Sequence, residues 1–259
     1  LPNIEIGIEV NPDDVSLDYL RELKQLQFNR LSIGVQSFFQ EDLLWMNRNH
    51  TAIQSFKVIE DSINAGFNNF SVDLIYGIPN ASHDRWHANL SKLLEFNIPH
   101  FSAYALTIEE GTAFHHYINS GKMDALKDQY TIEQMDILLD FCALNQYEAY
   151  EISNFAKLGY RAIHNANYWK GFKYLGFGPS AHSYDGIKRY ANISNNLLYI
   201  NQLAINDLNR EEESLSYENR FNEFILLNLR KIEGISITEV NIKFPEQLKS
   251  TEKLLQKFM

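Results

Sequence analysis

"NFSVDLIYG", residues 69–77, is a short apolar run that contains one acidic residue and ends in a glycine. Its length and its β-branched and aromatic content are typical of a buried strand. Three similar runs lie at 4–10, 29–35 and 100–106, and helical patterns separate the four runs from one another. We interpret each strand as apolar on both faces, which predicts a parallel sheet covered by helices. Right-handed crossovers allow either an open doubly wound sheet or part of a barrel, and periodicity does not choose between them.

Capping residues and apolar spacing predict where the helices begin. Ser16 is placed to cap one helix, and Thr51 with Gln54 has the pattern of a capping box for another. Thr131 with Gln134 has the same capping-box pattern. The predicted elements outside the sheet are helices over 82–96, 110–120 and 131–146, a strand over 147–153, an ordered loop with short strands over 155–190, and a mostly helical tail from about 195.

Composition places the chain among globular proteins and excludes several function classes. Apolar residues make up 45% of the 259 residues and charged residues 22%, which suits one large domain, or one domain with an appendage, that buries a substantial core. A net charge of −10 argues against nucleic-acid binding, which needs a basic face. The apolar runs are shorter than the roughly 18–20 residues that span a bilayer, so we expect no transmembrane segment. The single cysteine, Cys142, excludes an intrachain disulfide and predicts a cytoplasmic protein.

Polar residues recur near the carboxyl ends of the predicted strands, where parallel α/β folds bind their ligands. Glu9, Gln36 and Asp73 lie in or directly after the first three strands. Thr107 follows the fourth strand, and Arg48 lies in the loop "MNRNH". Each residue alone is most simply a helix cap or a satisfied buried polar group. Four in register favour one shared ligand rich in hydrogen-bond donors and acceptors, with Arg48 as a fork for a carboxylate.

Seven motifs occur in the order of one known family: "IEVNPDD", "FNRLSIGVQSF", "NRNH", "VDLIYGIP", "YEISNFA", "HNANYW" and "GFGPSAHS". Together they resemble the oxygen-independent coproporphyrinogen III oxidase family, whose members are radical S-adenosylmethionine proteins. Within that family the chain resembles the HemW-type branch of heme chaperones. The resemblance runs from about residue 4 to at least residue 235, and the combined string of motifs is specific although any single motif is weak.

The resemblance implies an α/β fold, namely an incomplete parallel β/α (TIM-like) barrel that holds the last four of six strands, with a C-terminal, mostly helical extension. It implies barrel residues over 1–109, a barrel extension over 110–194 that carries the last three motifs, and a truncated helical domain over 195–259. It also implies a pocket for S-adenosylmethionine whose residues match Glu9, Gln36, Arg48, Asp73, Thr107 and His182. A carboxylate, a carboxamide and a guanidinium suit the amino-acid head, ribose hydroxyls and adenine edge of that cofactor.

The chain departs from the family at its iron–sulfur motif. The family's CxxxCxxC motif and its glycine-rich motif, which belong to the first two barrel strands, do not occur here. A [4Fe–4S] cluster needs at least three thiolates from the protein, and Cys142 has apolar helical neighbours that are typical of a core residue. Because the chain opens inside a strand pattern rather than on a methionine, we expect further sequence to precede Leu1. Without the cluster ligands, we predict that this chain does not cleave S-adenosylmethionine.

The motif "HNANYW" (164–169) leaves two interpretations open. His164 is a candidate axial ligand for heme iron, with Tyr168 and Trp169 covering the face of the macrocycle. Alternatively, His164 hydrogen-bonds a loop backbone and Trp169 anchors the C-terminal helices. The histidine alone favours the structural role, and the resemblance to the HemW-type branch brings the two interpretations level. His50, by contrast, is interpreted as a loop residue rather than a ligand.

Three functions remain open from the sequence. The first is a HemW-like heme chaperone on a radical S-adenosylmethionine scaffold, with heme or a porphyrin as its ligand and a heme-acceptor protein as its partner. The second is an oxygen-independent coproporphyrinogen III oxidase, which decarboxylates its substrate oxidatively. The third is a cluster-free α/β binding module. Three cysteines with CxxxCxxC spacing upstream of Leu1 would exclude the third function.

Overall fold

The structure is a computed structural model, and it describes residues 4–79, 81–111, 113–121, 128–207, 210–249 and 253. The chain divides into two compact units, Leu1–Arg161 and Ala162–Met259. Thr112, which falls within the helix predicted over 110–120, lies outside the described residues, as do 208, 209, 250–252 and 254–259 of the predicted helical tail. The domain boundaries placed after 109 and 194 by the sequence stay predictions.

The first unit is built on one six-stranded sheet with helices between its strands. Its strands are β1 (Gly7–Val10), β2 (Arg30–Gln36), β3 (Phe70–Tyr76), β4 (His100–Ala105), β5 (Glu148–Ala149) and β6 (Asn154–Ala156). Its helices are α1 (Leu17–Gln25), α2 (Gln40–Trp45), α3 (Ala52–Asn64), α4 (His83–Glu95), α5 (Ala113–Asn119) and α6 (Asp128–Leu144). The spatial order is β1-β2-β3-β4-β6-β5, with β1 to β4 parallel and the last two strands antiparallel to their neighbours. The predicted α/β fold with four adjacent parallel strands is confirmed, and the described strands form an open sheet.

Local capping chemistry explains where the helices of the first unit begin. The Ser16 hydroxyl accepts a hydrogen bond from the backbone of α1, and Thr51 and Gln54 cap each other's backbone reciprocally at α3. Both caps are confirmed. Ser82 caps α4 in the same way. Helix α2 was not predicted, because its N-cap position is Phe39, whose side chain makes no capping hydrogen bond.

The third predicted cap is wrong. Helix α6 already runs from Asp128, so Thr131 lies inside the helix rather than at its start. The Gln134 side chain instead accepts a hydrogen bond from the Gly77 N–H at 2.7 Å, which ties α6 to the end of β3. A contact with a distant part of the chain thus occupies the residue that the local pattern assigned to a cap.

The two faces of the parallel sheet differ in chemistry. One face packs against α1, α3, α4 and α6 and forms the apolar core, with Ile33, Val72 and Phe101 fully buried in it. Alternate strand residues point to the opposite face. The prediction that each strand is apolar on both faces is therefore wrong, because polar side chains occupy most of these alternate positions. We call this second surface the polar face; its residues are Glu9, Arg30, Ser32, Gln36, Ser71, Asp73, His100, Ser102 and Tyr104.

In the described part of the second unit, a three-stranded antiparallel sheet lies among short helices. Its strands in spatial order are β7 (His182–Tyr184), β8 (Lys188–Asn192) and β9 (Arg210–Ser214). Its helices are α7 (Ile163–Trp169), α8 (Asn196–Ala204), α9 (Tyr217–Asn228) and α10 (Ile237–Lys243), followed by a 3-10 turn (Pro245–Gln247). No helix among the described residues of either unit is long and apolar enough to cross a bilayer.

Two elements of the second unit differ from the sequence prediction. Helix α7 lies in a stretch predicted as loop, and it has no buried residue, so no apolar periodicity reveals it. Strand β9 lies in the tail predicted as mostly helical, and its sequence "REEES" is poor in strand-forming residues. Cross-strand pairing accounts for it, since Lys188 contacts Glu212 and Arg189 lies 3.8 Å from Glu213.

Candidate functional site

Three polar side chains converge over Gly34, near the carboxyl end of β2. A methyl group there would lie 3.1 Å from Gln36 Nε2, 3.3 Å from Asn11 Oδ1 and 3.5 Å from Arg48 Nη2. Arg48 also donates from Nη2 to Asn11 Oδ1 at 3.1 Å. A side chain at Gly34 would crowd the space between these groups, so glycine permits their close approach. The structure thus brings together two predicted residues, Gln36 and Arg48, and adds Asn11.

Asp73 lies on the polar face one strand away from Gly34. Both of its carboxylate oxygens lie 3.5 Å from Ser32 Oγ. Burial raises the pKa of Asp73 to about 6; a hydrogen bond with Ser102 opposes this shift, and the negative charge of Glu9 adds to it. Ser32 is also the strand partner of Glu9, so this serine lies between the second pair of predicted residues, Glu9 and Asp73.

The two pairs of predicted residues share one continuous surface. Ser32, which contacts Asp73, and Gly34, over which Gln36 lies, are alternate residues of β2 and point to the same face. Tyr104 borders this surface, and burial followed by the charge of Asp73 raises its pKa. Carboxylates, a carboxamide and a guanidinium within one surface can pair with the hydroxyls, amino group and carboxylate of a zwitterionic nucleoside.

Two predicted residues lie apart from these pairs. Thr107 follows the end of β4 by two residues, and its side chain is exposed. His182 opens β7 in the second unit, where its side chain is also exposed and its backbone pairs with Ala191. Sequence reasoning missed Asn11 and Ser32. Asn11 directly follows the first strand, and Ser32 lies at an alternate position of β2. Both positions are recognisable from the sequence, but the interpretation of each strand as apolar on both faces passed over them.

The described residues do not fit an iron–sulfur cluster. Among them, no three His, Cys, Asp or Glu side chains are grouped as a metal site requires. Cys142 is only 3% exposed, and burial raises the pKa of its thiol to about 12, so it stays protonated in the core of the first unit. The prediction that Cys142 is a core residue is confirmed.

The second candidate site is helix α7, which carries the "HNANYW" motif. His164 and Tyr168 lie one turn apart on the same side of the helix, and both side chains are exposed. Their ring centroids are 4.9 Å apart with the planes at 80°, so the rings meet edge to face. Tyr168 also packs against Tyr174, with 4.7 Å between the ring centroids. The helix therefore presents one imidazole beside an aromatic surface.

Trp169 is separated from that pair. Successive helical residues are about 100° apart, so Trp169 points well away from the side that carries His164 and Tyr168. The guanidinium of Arg230 lies 5.6 Å from its ring centroid, a cation–π contact with the end of α9. The structure thus brings two of the three predicted heme-site residues together, and it gives Trp169 a packing partner of its own.

Comparisons with known proteins show which proteins this chain resembles. The model of the Radical SAM superfamily matches residues 1–93. The chain is 33% identical over 233 residues to the heme chaperone HemW of Bacillus subtilis (strain 168), covering 90% of this chain and 62% of that protein. It is 32% identical over 240 residues to the heme chaperone HemW of Lactococcus lactis subsp. lactis (strain IL1403), covering 93% and 63%. The chain thus spans somewhat less than two thirds of the curated relatives it matches.

The fold is similar to that of the coproporphyrinogen III oxidase HemN from Escherichia coli, which is a radical SAM enzyme. The TM-score is 0.76 at 22% sequence identity, and the match covers 98% of this chain and 63% of that one. At this identity the likeness establishes a shared fold. Proteins of the Radical SAM superfamily use S-adenosylmethionine and a [4Fe–4S] cluster as cofactors. Residues 1–93 of the chain therefore match the Radical SAM superfamily, and the chain is similar to the HemW proteins over most of its own length.

Proposed function

We propose that this chain forms the larger part of a HemW-like heme chaperone. In this proposal the polar face of the first unit binds S-adenosylmethionine, and α7 of the second unit binds heme or a porphyrin. A heme-acceptor protein is the proposed partner, and the low cysteine content suits a cytoplasmic location. Homology to two HemW proteins over 90% and 93% of this chain supports the assignment.

The polar face, together with Arg48 beside it, suits the chemistry of S-adenosylmethionine group by group. Glu9 and Asp73 are acceptors for ribose hydroxyls or an ammonium group, and Arg48 is a donor pair for a carboxylate. Gln36 offers both a donor and an acceptor. Because a ligand hydroxyl that donates to Asp73 would favour the ionised carboxylate, binding would lower the raised pKa of this residue. Thr107 and His182 stay proposed contacts on the strength of the family resemblance.

The described residues offer no ligand set for the cluster. We therefore assign no cleavage of S-adenosylmethionine to this chain. Its own residues bind and orient the nucleoside and the amino-acid head, which the charged and amide groups of the polar face can do without a metal.

The observation that carries the heme proposal is the exposed His164–Tyr168 pair. Neutral imidazole is the usual proximal ligand of heme iron, and an aromatic ring beside it offers apolar contact to the macrocycle. An exposed histidine on a helix without buried residues is accessible to a flat ligand of this size. The contact between Trp169 and Arg230 supports the structural role for the third residue of the motif.

A hemin titration of the chain tests this proposal. We expect a Soret band typical of nitrogen ligation, which His164→Ala should alter. His87→Ala is the matched control, because His87 is an exposed histidine on α4 in the first unit. A lowered melting temperature of His164→Ala with an unchanged Soret band would show that the motif stabilises the fold and does not bind heme. Turnover of coproporphyrinogen III by the longer protein, in place of heme transfer, would point instead to the oxidase.

A further inference from the structure

Gln36, at the end of β2, has a backbone conformation that non-glycine residues rarely adopt. Its φ is +65°, and the Ser37 N–H donates to the Val35 carbonyl at 2.8 Å. A hydrogen bond that closes three residues around a central positive φ is the strained form of the γ-turn. The turn coincides with a register shift between β2 and β3. Such strain persists only where the surrounding structure holds it, and it is concentrated at ligand sites.

His50 holds this turn from one side. It lies in the loop between α2 and α3, as predicted, yet it is only 1% exposed. Its Nε2 lies 3.0 Å from the Val35 carbonyl oxygen, and because a carbonyl only accepts, Nε2 must carry the proton and donate. The Val35 carbonyl therefore accepts from both Ser37 and His50. Burial lowers the pKa of His50, which favours the neutral ring that this geometry allows.

A second network holds the turn from the other side. Ser37 is fully buried, and its hydroxyl donates to Asp42 at 2.7 Å. Arg85 of α4 also donates to Asp42, at 2.8 Å. The Phe38 N–H donates to Asn89 Oδ1 at 2.8 Å. The residues after Gln36 are thereby fixed to α2 and α4, while the residue before it is fixed to His50.

We propose that His50 is a positioning residue for S-adenosylmethionine binding. By pinning the Val35 carbonyl, it maintains the turn at Gln36. The turn directs the Gln36 amide into the space that it shares with Asn11 and Arg48. Relaxation of the turn to an extended backbone would reorient the Cβ of Gln36 and remove the amide from this space. The proposal rests on the proposed function of the polar face.

Two matched variants separate the hydrogen bond of His50 from its packing. In His50→Gln, the side-chain amide supplies a donor near the position of Nε2. In His50→Phe, a ring of similar size fills the volume without a donor. The measurements on the 259-residue chain are the S-adenosylmethionine dissociation constant by calorimetry, the three-bond HN–Hα coupling of Gln36, which reports φ, and the melting temperature.

We expect His50→Phe to weaken S-adenosylmethionine binding about tenfold and to change the Gln36 coupling. His50→Gln should restore the affinity to within about threefold, even if its melting temperature is the lower of the two. A role in packing alone predicts the opposite order, because phenylalanine fills the buried volume better than glutamine. Should His50→Phe fail to fold, His50→Asn replaces it, since the shorter amide reaches the Nδ1 position and not Nε2.

Wild-type affinity in His50→Phe together with an unchanged Gln36 coupling would overturn the proposal. Failure of the unsubstituted chain to bind S-adenosylmethionine would instead count against the proposed function of the polar face. In that case the Gln36 coupling in the same variants still decides whether His50 holds the turn. The two failures are therefore distinguishable.

Discussion

The two units differ in how far they bury their phenylalanine side chains. In the first unit Phe67, Phe101 and Phe155 are completely buried, and the helices and the sheet enclose them. In the second unit Phe172 is 55% exposed and Phe177 is 82% exposed. Apolar surface that is not used for a core is available for a ligand or a partner. The first unit therefore encloses these aromatic residues in its core, whereas the second unit leaves Phe172 and Phe177 open to solvent and buries Phe244 against α9.

The polar residues of the two units also differ in their surroundings. On the polar face of the first unit, both carboxylate oxygens of Asp73 lie 3.5 Å from Ser32 Oγ, and burial raises the pKa of this residue to about 6. In the second unit the charged residues of β8 and β9 form exposed pairs, such as Lys188 with Glu212. Perturbed groups in a structured setting are typical of a binding site, while exposed ion pairs are typical of a solvated sheet.

The difference in apolar burial predicts that truncating a core side chain of the first unit has the largest effect on the free energy of unfolding. Phe101 stacks on Phe155 at 4.9 Å between ring centroids, and Tyr147 meets its edge at 5.1 Å. We expect Phe101→Ala to lower the free energy of unfolding by about 3–5 kcal/mol, because it leaves a cavity that rigid neighbours cannot fill. Phe177→Ala is the matched control and should change it by less than about 0.5 kcal/mol. Urea unfolding measures both, and equal losses would contradict the contrast.

The difference between the buried Asp73 and the exposed charged residues can be tested by the pH dependence of the free energy of unfolding. The pKa of Asp73 is raised from 3.8 to about 6 in the folded chain, so the folded state binds this proton more tightly than the unfolded state. Stability from this group is therefore fully present below pH 3.8 and is lost as the pH rises through 6. Asp73→Asn should remove that loss and stabilise the chain at pH 7 by about 2–3 kcal/mol.

The control for this pH effect is Asp140→Asn, since Asp140 is exposed on α6. We expect its stability to follow that of the unsubstituted chain at every pH. The quantity to compare is the difference in unfolding free energy between variant and unsubstituted chain at pH 4 and pH 7. No difference between the two pH values for Asp73→Asn would show that the carboxyl group titrates normally.

If the polar face binds S-adenosylmethionine, replacing Glu9 should change the affinity for this ligand without changing the stability of the chain. Glu9 is exposed at β1, so Glu9→Ala should leave the melting temperature nearly unchanged. Loss of a hydrogen bond to a charged group should weaken S-adenosylmethionine binding by about 1.5–3 kcal/mol, or roughly ten- to a hundredfold. Glu22→Ala, at an exposed position of α1, is the control. An unchanged dissociation constant for Glu9→Ala would remove this residue from the site.

The smallest expected effect concerns the exposed ion pairs of the second unit. Glu212→Gln removes the partner of Lys188 across β8 and β9. Because exposed pairs are screened by water and salt, the loss of stability should stay below about 1 kcal/mol. It should disappear in high salt. A larger, salt-independent loss in calorimetric unfolding would show that this pair is structural after all.

The parallel sheet was predictable because its strands are dense apolar runs between capped helices. "NFSVDLIYG" and the Thr51–Gln54 capping box carry their structure in local sequence. The polar face was not recognised, since isolated serines such as Ser32 do not interrupt an apolar run strongly enough to reveal a period of two. Gln134 shows the other limit, because its hydrogen bond to Gly77 depends on a residue 57 positions away.

The candidate sites were predictable only in part, for related reasons. Gln36 and Asp73 were identifiable as polar residues at strand ends, and the structure places them on one surface. The positive φ of Gln36 and the hydrogen bond from His50 to the neighbouring Val35 carbonyl depend on tertiary contacts that no local pattern encodes. Helix α7 lacks buried residues, so the separation of Trp169 from His164 could not be read from the motif.

The most direct test of the proposed division of labour is an NMR titration of the chain with each ligand. S-adenosylmethionine should shift the amide signals of Gly34, Gln36 and Asp73 in the first unit. Hemin, through its paramagnetic iron, should broaden the signals of His164 and Tyr168 on α7. Two separate sets of affected residues are the predicted result. Perturbation of one shared set by both ligands, or an α7 that hemin leaves unchanged, would contradict the proposal that the polar face and α7 bind different ligands.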